Sequence, residues 1–213
     1  MSIDSAIKAI ESFQGISLTK SISEMENEIV GSNAIITETF CSDKNITIDF
    51  MNSALSIKKV ARQINTIIHA AGILHSLPRI LQKGEVVQSV SLGAGNTGKR
   101  FDLETNLRVA EYKFIDWQGG AESIRQNGIF KDFYNLAEYE TDKMKFLYVI
   151  GTKYPLKFFN GGRALTSVLS RQTNILKNIR TKHSKDITLT RHYYELFKDS
   201  VSIMDISSSI GRN

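Results

Sequence analysis

Between residues 71 and 86 the apolar residues change their period, and this change constrains the fold more than any other feature of the chain. Before it, Leu55, Ile57, Val60, Ala61, Ile64, Ile67, Ile68 and Ala71 recur at helical spacing. After it, residues 86 to 92, 101 to 104 and 107 to 117 carry the β-favouring pattern of strands. A helical period returns over 121 to 139 with Ile124, Phe130, Phe133, Tyr134, Leu136 and Ala137. The short apolar run at 144 to 150 then reads as a buried strand, and 164 to 179 as a further helix. The order helix, strand, strand, strand, helix, strand, helix predicts an α/β fold, a mixed central sheet flanked by helices.

Outside this central pattern the signals are more local. Residues 3 to 13 have helical spacing, and the long helix is expected to begin near Ser53 and to be limited by Gly72 and Pro78. The pieces AIITETF and NITIDF, around a Cys-Ser-Asp-Lys turn, predict a small hairpin between 34 and 50. Near the C-terminus a short helix is expected over 191 to 198. Its Tyr193, Tyr194 and Phe197 have the spacing of a packed helix face, which is favoured over a base-stacking platform.

Composition bounds the functional classes. Cys41 is the single cysteine of the 213 residues, which excludes an internal disulfide framework and a cysteine-based zinc cluster. No apolar run approaches the length needed to span a membrane, and Asp4 and Glu11 stand where a secretory leader would be basic and then apolar. A cytoplasmic protein is expected. The net charge of +5 is unevenly spread: residues 1 to 51 hold 3 Lys/Arg against 8 Asp/Glu, whereas 52 to 170 hold 16 against 10 and 171 to 213 hold 8 against 4. This divides the chain into an acidic, partly helical N-terminal segment, 1 to 51, and a basic domain, 52 to 213. A basic body suits a polyanionic partner, because neutralising phosphates releases counterions. Lys182 and Lys185, close to Lys177 and Arg180, are candidate phosphate contacts, as are Lys99 and Arg100 beside a Gly-rich turn.

That turn, residues 93 to 98, matches the GxGxxG pattern letter for letter. The motif works by aiming backbone amides from a helix N-terminus, and the alternating Arg100-Phe101-Asp102-Leu103-Glu104 that follows reads as a strand. A β-turn is therefore expected rather than a nucleotide loop. His69 and His75 are six residues apart and face different ways on a helix, the chain has neither HExxH nor GxSxG, and both histidines read as helix-surface or core residues.

The chemistry concentrates in RFDLETNLRVAEYKFIDW, which holds the one Asp/Glu-x-Lys triplet of the chain, Glu111-Tyr112-Lys113. If Thr105-Asn106 is a two-residue hairpin loop, Glu104 pairs with Leu107 and Asp102 with Val109. Asp102, Glu111 and Lys113 then share a face of the sheet, and a slip of one residue would send Asp102 to the other side. Two carboxylates bracketing one position suit a hard cation such as magnesium, which takes carboxylate oxygens, waters and a substrate phosphate oxygen. A lysine beside them supplies a compact positive charge. Glu104 lies nearer the turn and reads as a solvated acid.

Over about residues 53 to 150 this arrangement resembles the PD-(D/E)XK nuclease superfamily, whose fold is restriction-endonuclease-like. The resemblance implies a metal-dependent nuclease hydrolysing nucleic-acid phosphodiesters, most simply a DNA endonuclease of restriction or defence type. It implies Mg2+ as cofactor with Mn2+ as substitute, Asp102 and Glu111 as metal ligands, and Lys113 assisting the attacking water. Gln126 sits where many members carry a glutamine on the following helix, though Asn127-Gly128 falls within that helix; the proline of the family pattern is replaced by Phe101. A homodimer is expected, because cutting both strands of a duplex calls for two sites related by symmetry. The alternative is a non-catalytic nucleic-acid-binding protein that keeps the fold.

Overall fold

The computed structural model describes residues 3–93, 98–115, 117 and 123–211. The chain forms two compact units, Met1–Asn65 and Thr66–Asn213. The charge boundary at 51/52 falls instead in the first turn of a helix that crosses from one unit to the other.

The first unit is helical: α1 (Ile3–Gln14), α2 (Leu18–Ile29), α3 (Ala34–Asp43) and the beginning of α4 (Ile48–Ile80). The hairpin expected between 34 and 50 does not form. Asn33 caps α3 by accepting from the Ile36 amide at 3.1 Å, and Thr37 and Thr39 turn their hydroxyls onto the carbonyls of Asn33 and Ile35. These bonds give β-branched residues a helical solution, and propensity yields to capping. Thr47 caps α4 in the same way, accepting from Phe50. Phe13 and Phe50 meet with ring centroids 4.9 Å apart.

The second unit holds a five-stranded sheet in the order β1 (Val87–Val90), β2 (Leu103–Thr105), β3 (Arg108–Lys113), β4 (Met144–Val149), β5 (Val201–Asp205). The first three strands are antiparallel neighbours, and β4 and β5 run parallel to β3. One face carries α5 (Ser123–Ala137), α6 (Lys153–Phe159), α7 (Leu165–Val168), α8 (Thr173–Lys182) and α9 (Thr190–Phe197), packed through Val109, Leu147 and Val149 of the sheet. The other packs Ile73, Leu77 and Ile80 of α4 against Leu103, Ala110, Tyr112 and Tyr148. Successive residues of a strand point to opposite faces, so β3 turns Arg108, Ala110 and Tyr112 to the α4 side and Val109, Glu111 and Lys113 to the other.

Two local departures from the sequence expectation have physical causes. Helix α4 runs through Gly72 because a Cβ there would lie 2.4 Å from the Phe114 ring, so the glycine is a packing requirement rather than a stop. The single helix expected over 164 to 179 is two, because Asn127 of α5 donates to the Val168 carbonyl at 2.6 Å and accepts from Gln172, holding the chain in a turn between α7 and α8. The same bonds keep Asn127-Gly128 inside a continuous α5. Tyr193 is fully buried among Phe130, Phe133 and Tyr134, which makes the α9 aromatics a packed face, as their spacing indicated. The Gly-rich turn at 93 to 98 lies for the most part, at 94 to 97, outside the described residues. No helix among the described residues is long and apolar enough to cross a membrane.

At the turn end of the β2–β3 hairpin an ion pair is closed inside the protein. Glu85 takes the Arg108 guanidinium in a two-pronged ion pair, Thr105 donates to Glu85 at 2.6 Å, and Arg108 also donates to the Tyr148 hydroxyl at 2.7 Å. Both charged side chains are almost wholly buried. Removing one charge strands the other, which costs about 3–5 kcal/mol, whereas removing both together costs much less. Arg108→Met should therefore lower stability by an amount in that range, and Glu85→Leu combined with Arg108→Met should recover most of it. Urea unfolding of the three proteins is the measurement.

Candidate active site

The β2–β3 register builds the site. Leu103 pairs with Ala110 and Glu104 with Val109. Asp102, one residue before β2, is thereby level with Glu111. The expected register paired Glu104 with Leu107, and the difference is two residues, so every side chain keeps its face. The loop is Asn106-Leu107 because the Thr105 hydroxyl accepts from the amides of Leu107 and Arg108, at 3.0 and 2.8 Å, and so fixes the last strand residue before the turn. With Asp102 opposite Val109 the two acids would have stood diagonally across the strands; in the observed register they stand directly opposite.

Asp102 and Glu111 are close enough for each carboxyl group to act on the other. The Oδ2 of Asp102 also accepts from the Tyr112 amide at 2.9 Å, and its Oδ1 lies 3.3 Å from Nε2 of His69. Burial works to raise Asp102, but the His69 contact and the Tyr112 amide outweigh it, and the acid is held below its ordinary value. Glu111 goes the other way. Burial first, then the charges of Asp132 and Asp102, push it up to about 10. At neutral pH one proton therefore sits between the two acids and belongs to Glu111, as expected when like charges share a buried site.

Lys113, two residues along β3 and on the same face, makes an ion pair with Asp132 of α5. Burial would lower the ammonium; the charge of Asp132 and its hydrogen bond outweigh this and hold Lys113 above its ordinary value. Beside Lys113 a small pocket is walled by Trp117, Arg125, Ile129 and Val149. Arg125, Ile129 and Asp132 recur at helical spacing, and this stripe is the side of α5 that meets the end of β3.

Asp102, Glu111 and Lys113 are thus brought together. Gln126 is buried at 7% exposure in the first turn of α5, its amide oxygen has no partner among the described residues, and the α5 residue that reaches the lysine is Asp132. Of the expected phosphate contacts, Lys99 donates to the Val90 carbonyl, Arg100 stacks 4.2 Å above the Tyr139 ring, and Lys182 pairs with Glu138 at 2.9 Å. Lys185 is exposed. Glu104 forms an ion pair with Lys143 at 2.8 Å rather than standing free in solvent.

Two members of the cluster were missed in the sequence, His69 and Asp132. Both had a signal. His69 lies four residues before Ile73 and hence on the sheet-facing side of α4, and Asp132 is the one acid of α5, standing between the apolar Ile129, Phe133 and Leu136. Among the described residues no group of three or more His, Cys, Asp or Glu side chains converges in an arrangement ready to hold a metal ion. Comparison with family models, with curated proteins and with solved structures finds no match.

The proton on Glu111 has a consequence for stability. A carboxyl whose native pKa is raised contributes fully below its unfolded value, near 4.5, and loses that contribution as the pH climbs toward about 10. In metal-free buffer the wild-type protein should lose stability across that window relative to Glu111→Gln, which keeps a neutral donor in place. Thermal unfolding of both proteins from pH 5 to pH 9 checks this; parallel curves would refute the assignment of the proton to Glu111.

Proposed function

We propose that this protein is a metal-dependent nuclease, with Asp102, Glu111 and Lys113 at its centre and DNA as the first substrate to test. The observation that carries the reading is the β2–β3 register, which sets Asp102 opposite Glu111 with Lys113 on the same face of β3. An antiparallel β1–β2–β3 followed by a parallel β4, with helices on both faces, supports assigning the chain the restriction-endonuclease-like fold. The donor set fits a divalent cation. Two carboxyl groups that now share one proton would each present an oxygen to a magnesium ion, and magnesium ordinarily takes only one or two carboxylates and fills its remaining positions with water and substrate oxygens.

When bound, such a cation lowers the pKa of a water and stabilises charge on the phosphoryl oxygens. The chain's own groups do the rest. The Tyr112 amide and His69 fix the orientation of Asp102, so that it approaches Glu111 without a search of rotamers. Glu111 would hold the cation as a carboxylate, giving its proton to solvent. Lys113 keeps its proton and places a positive charge where the scissile phosphate would lie, favouring the extra negative charge of the transition state. The expected homodimer belongs to the same reading, since a single cluster of this kind serves one strand.

The test is cleavage of labelled duplex DNA, single-stranded DNA and RNA in magnesium, with binding followed separately in calcium. Asp102→Asn and Glu111→Gln should each reduce the magnesium-dependent rate by at least about 100-fold, because each removes a charged oxygen from the cation. Circular dichroism should show both variants folded. Folded variants that cut at the wild-type rate would sink the reading, and so would a wild-type protein that cuts none of the three substrates.

A further inference from the structure

We propose that Asp132 is a positioning residue that aims Lys113 into the site, holding its ammonium beside the Asp102–Glu111 pair; the inference rests on the nuclease reading above. Lys113 is the last residue of β3 and borders the small pocket walled by Trp117, Arg125 and Ile129. A lysine carries a compact charge on a four-carbon stem with many rotamers, and at the end of a strand it would by default extend toward solvent. Here the ammonium is turned back onto the Asp132 carboxylate. In that position it acts on both acids of the site, and Asp132 in turn is one of the charges felt by Glu111.

The placement of Asp132 is costly as a packing choice. Its side chain is 11% exposed, on a helix whose inner neighbours are Ile129, Phe133 and Leu136. An apolar residue there would avoid the desolvation of a carboxylate, and replacing buried ion pairs by apolar groups is often neutral or stabilising. What an apolar residue could not do is localise the ammonium. The i, i+4 and i+7 spacing of Arg125, Ile129 and Asp132 turns this one acid toward the one strand end that carries the lysine. Asp132 therefore acts through Lys113 and is not itself a catalytic residue.

A double-mutant cycle tests this. Single-turnover cleavage in magnesium at saturating enzyme is measured for the wild type, Asp132→Asn, Lys113→Gln and the double variant, with duplex affinity measured in calcium and thermal unfolding recorded for each. Asp132→Asn should lower the rate about 10- to 100-fold, the loss that follows from misplacing a group by about an ångström. Affinity in calcium should stay within twofold of the wild type. In the Lys113→Gln background the same substitution should cause no further loss, since the group it positions is gone. A wild-type rate for Asp132→Asn overturns the inference, and so do equal losses in both backgrounds, which would mean that the carboxylate only supports packing. If Asp132→Asn does not fold, Asp132→Ser goes through the same cycle; if neither folds, the role is structural and the inference fails. A wild-type protein without cleavage activity removes the nuclease reading itself, a different outcome from the other three.

Discussion

Thr105 sets the register on which the rest of the second unit depends. Its hydroxyl accepts from two amides of the turn and donates to Glu85, so one side chain closes the hairpin and ties it to the segment leading into β1. Turn geometry fixes the register of a two-residue hairpin, and a slip of one residue exchanges the faces of a strand. Such a slip would turn Leu103 and Ala110 out of the α4 layer and carry Asp102 away from Glu111. The buried Arg108–Glu85 pair gives the correct register a further advantage, because only there does the guanidinium reach both Glu85 and the Tyr148 hydroxyl. Fold and site are thus specified by the same few bonds, at the opposite end of β3 from the charged cluster.

At that end the protein gathers three acids and one lysine in a half-closed space. If all were ionised the cluster would carry an excess negative charge that a low-dielectric surrounding tolerates poorly. The imbalance is relieved by a proton on Glu111 and by unequal support of the two neighbouring carboxyls. Asp102 has an amide and an imidazole to stabilise its charge; Glu111 has burial and the charges of Asp132 and Asp102 against it. Two acids of the same type, side by side, are driven to opposite protonation states by their surroundings. A divalent cation would balance the same excess.

The parts legible in the sequence are those that depend on period, and the parts that were not depend on single side-chain bonds. The β-favouring pattern gave β1 to β3 nearly in place, a short apolar run gave β4, and helical spacing gave α5 and the body of α4. The triplet at 111 to 113 and the face shared with Asp102 could be read because a register error of two residues leaves faces unchanged. By contrast, α3 depends on the Asn33 cap and two threonine hydroxyls, and the α7–α8 division depends on Asn127, a residue more than 40 positions away in the chain. Long-range bonds of this kind have no periodic trace. β5 was missed for a different reason: Val201-Ser202-Ile203 alternates as a strand should, but the run is short and follows an aromatic helix. His69 and Asp132 show the limit of motif reading. Each lies on the inner face of a helix that the period had identified, and only the sheet packed against that face reveals that they converge on the same carboxyl pair and lysine.

The basic charge of the second unit is a weaker guide to a polyanion footprint than its count implies. Lys182 is held by Glu138, which also accepts from Tyr193 and contacts His183, so this lysine helps to close the α8–α9 side of the core. Arg100 spends its guanidinium on the Tyr139 and Phe101 rings, and Lys143 bridges Gln88 and Glu104 across the sheet. A cation already engaged must give up a partner to meet a phosphate, which reduces the net gain from the contact. The positive charge that a phosphodiester would meet at the candidate site is therefore set by position more than by number. Lys113 is placed at the end of β3, level with the pocket that Arg125 also borders. An electrostatic contribution from this corner is short-ranged and partly shielded from salt by burial, whereas one from exposed residues such as Lys185 would follow the ionic strength of the medium.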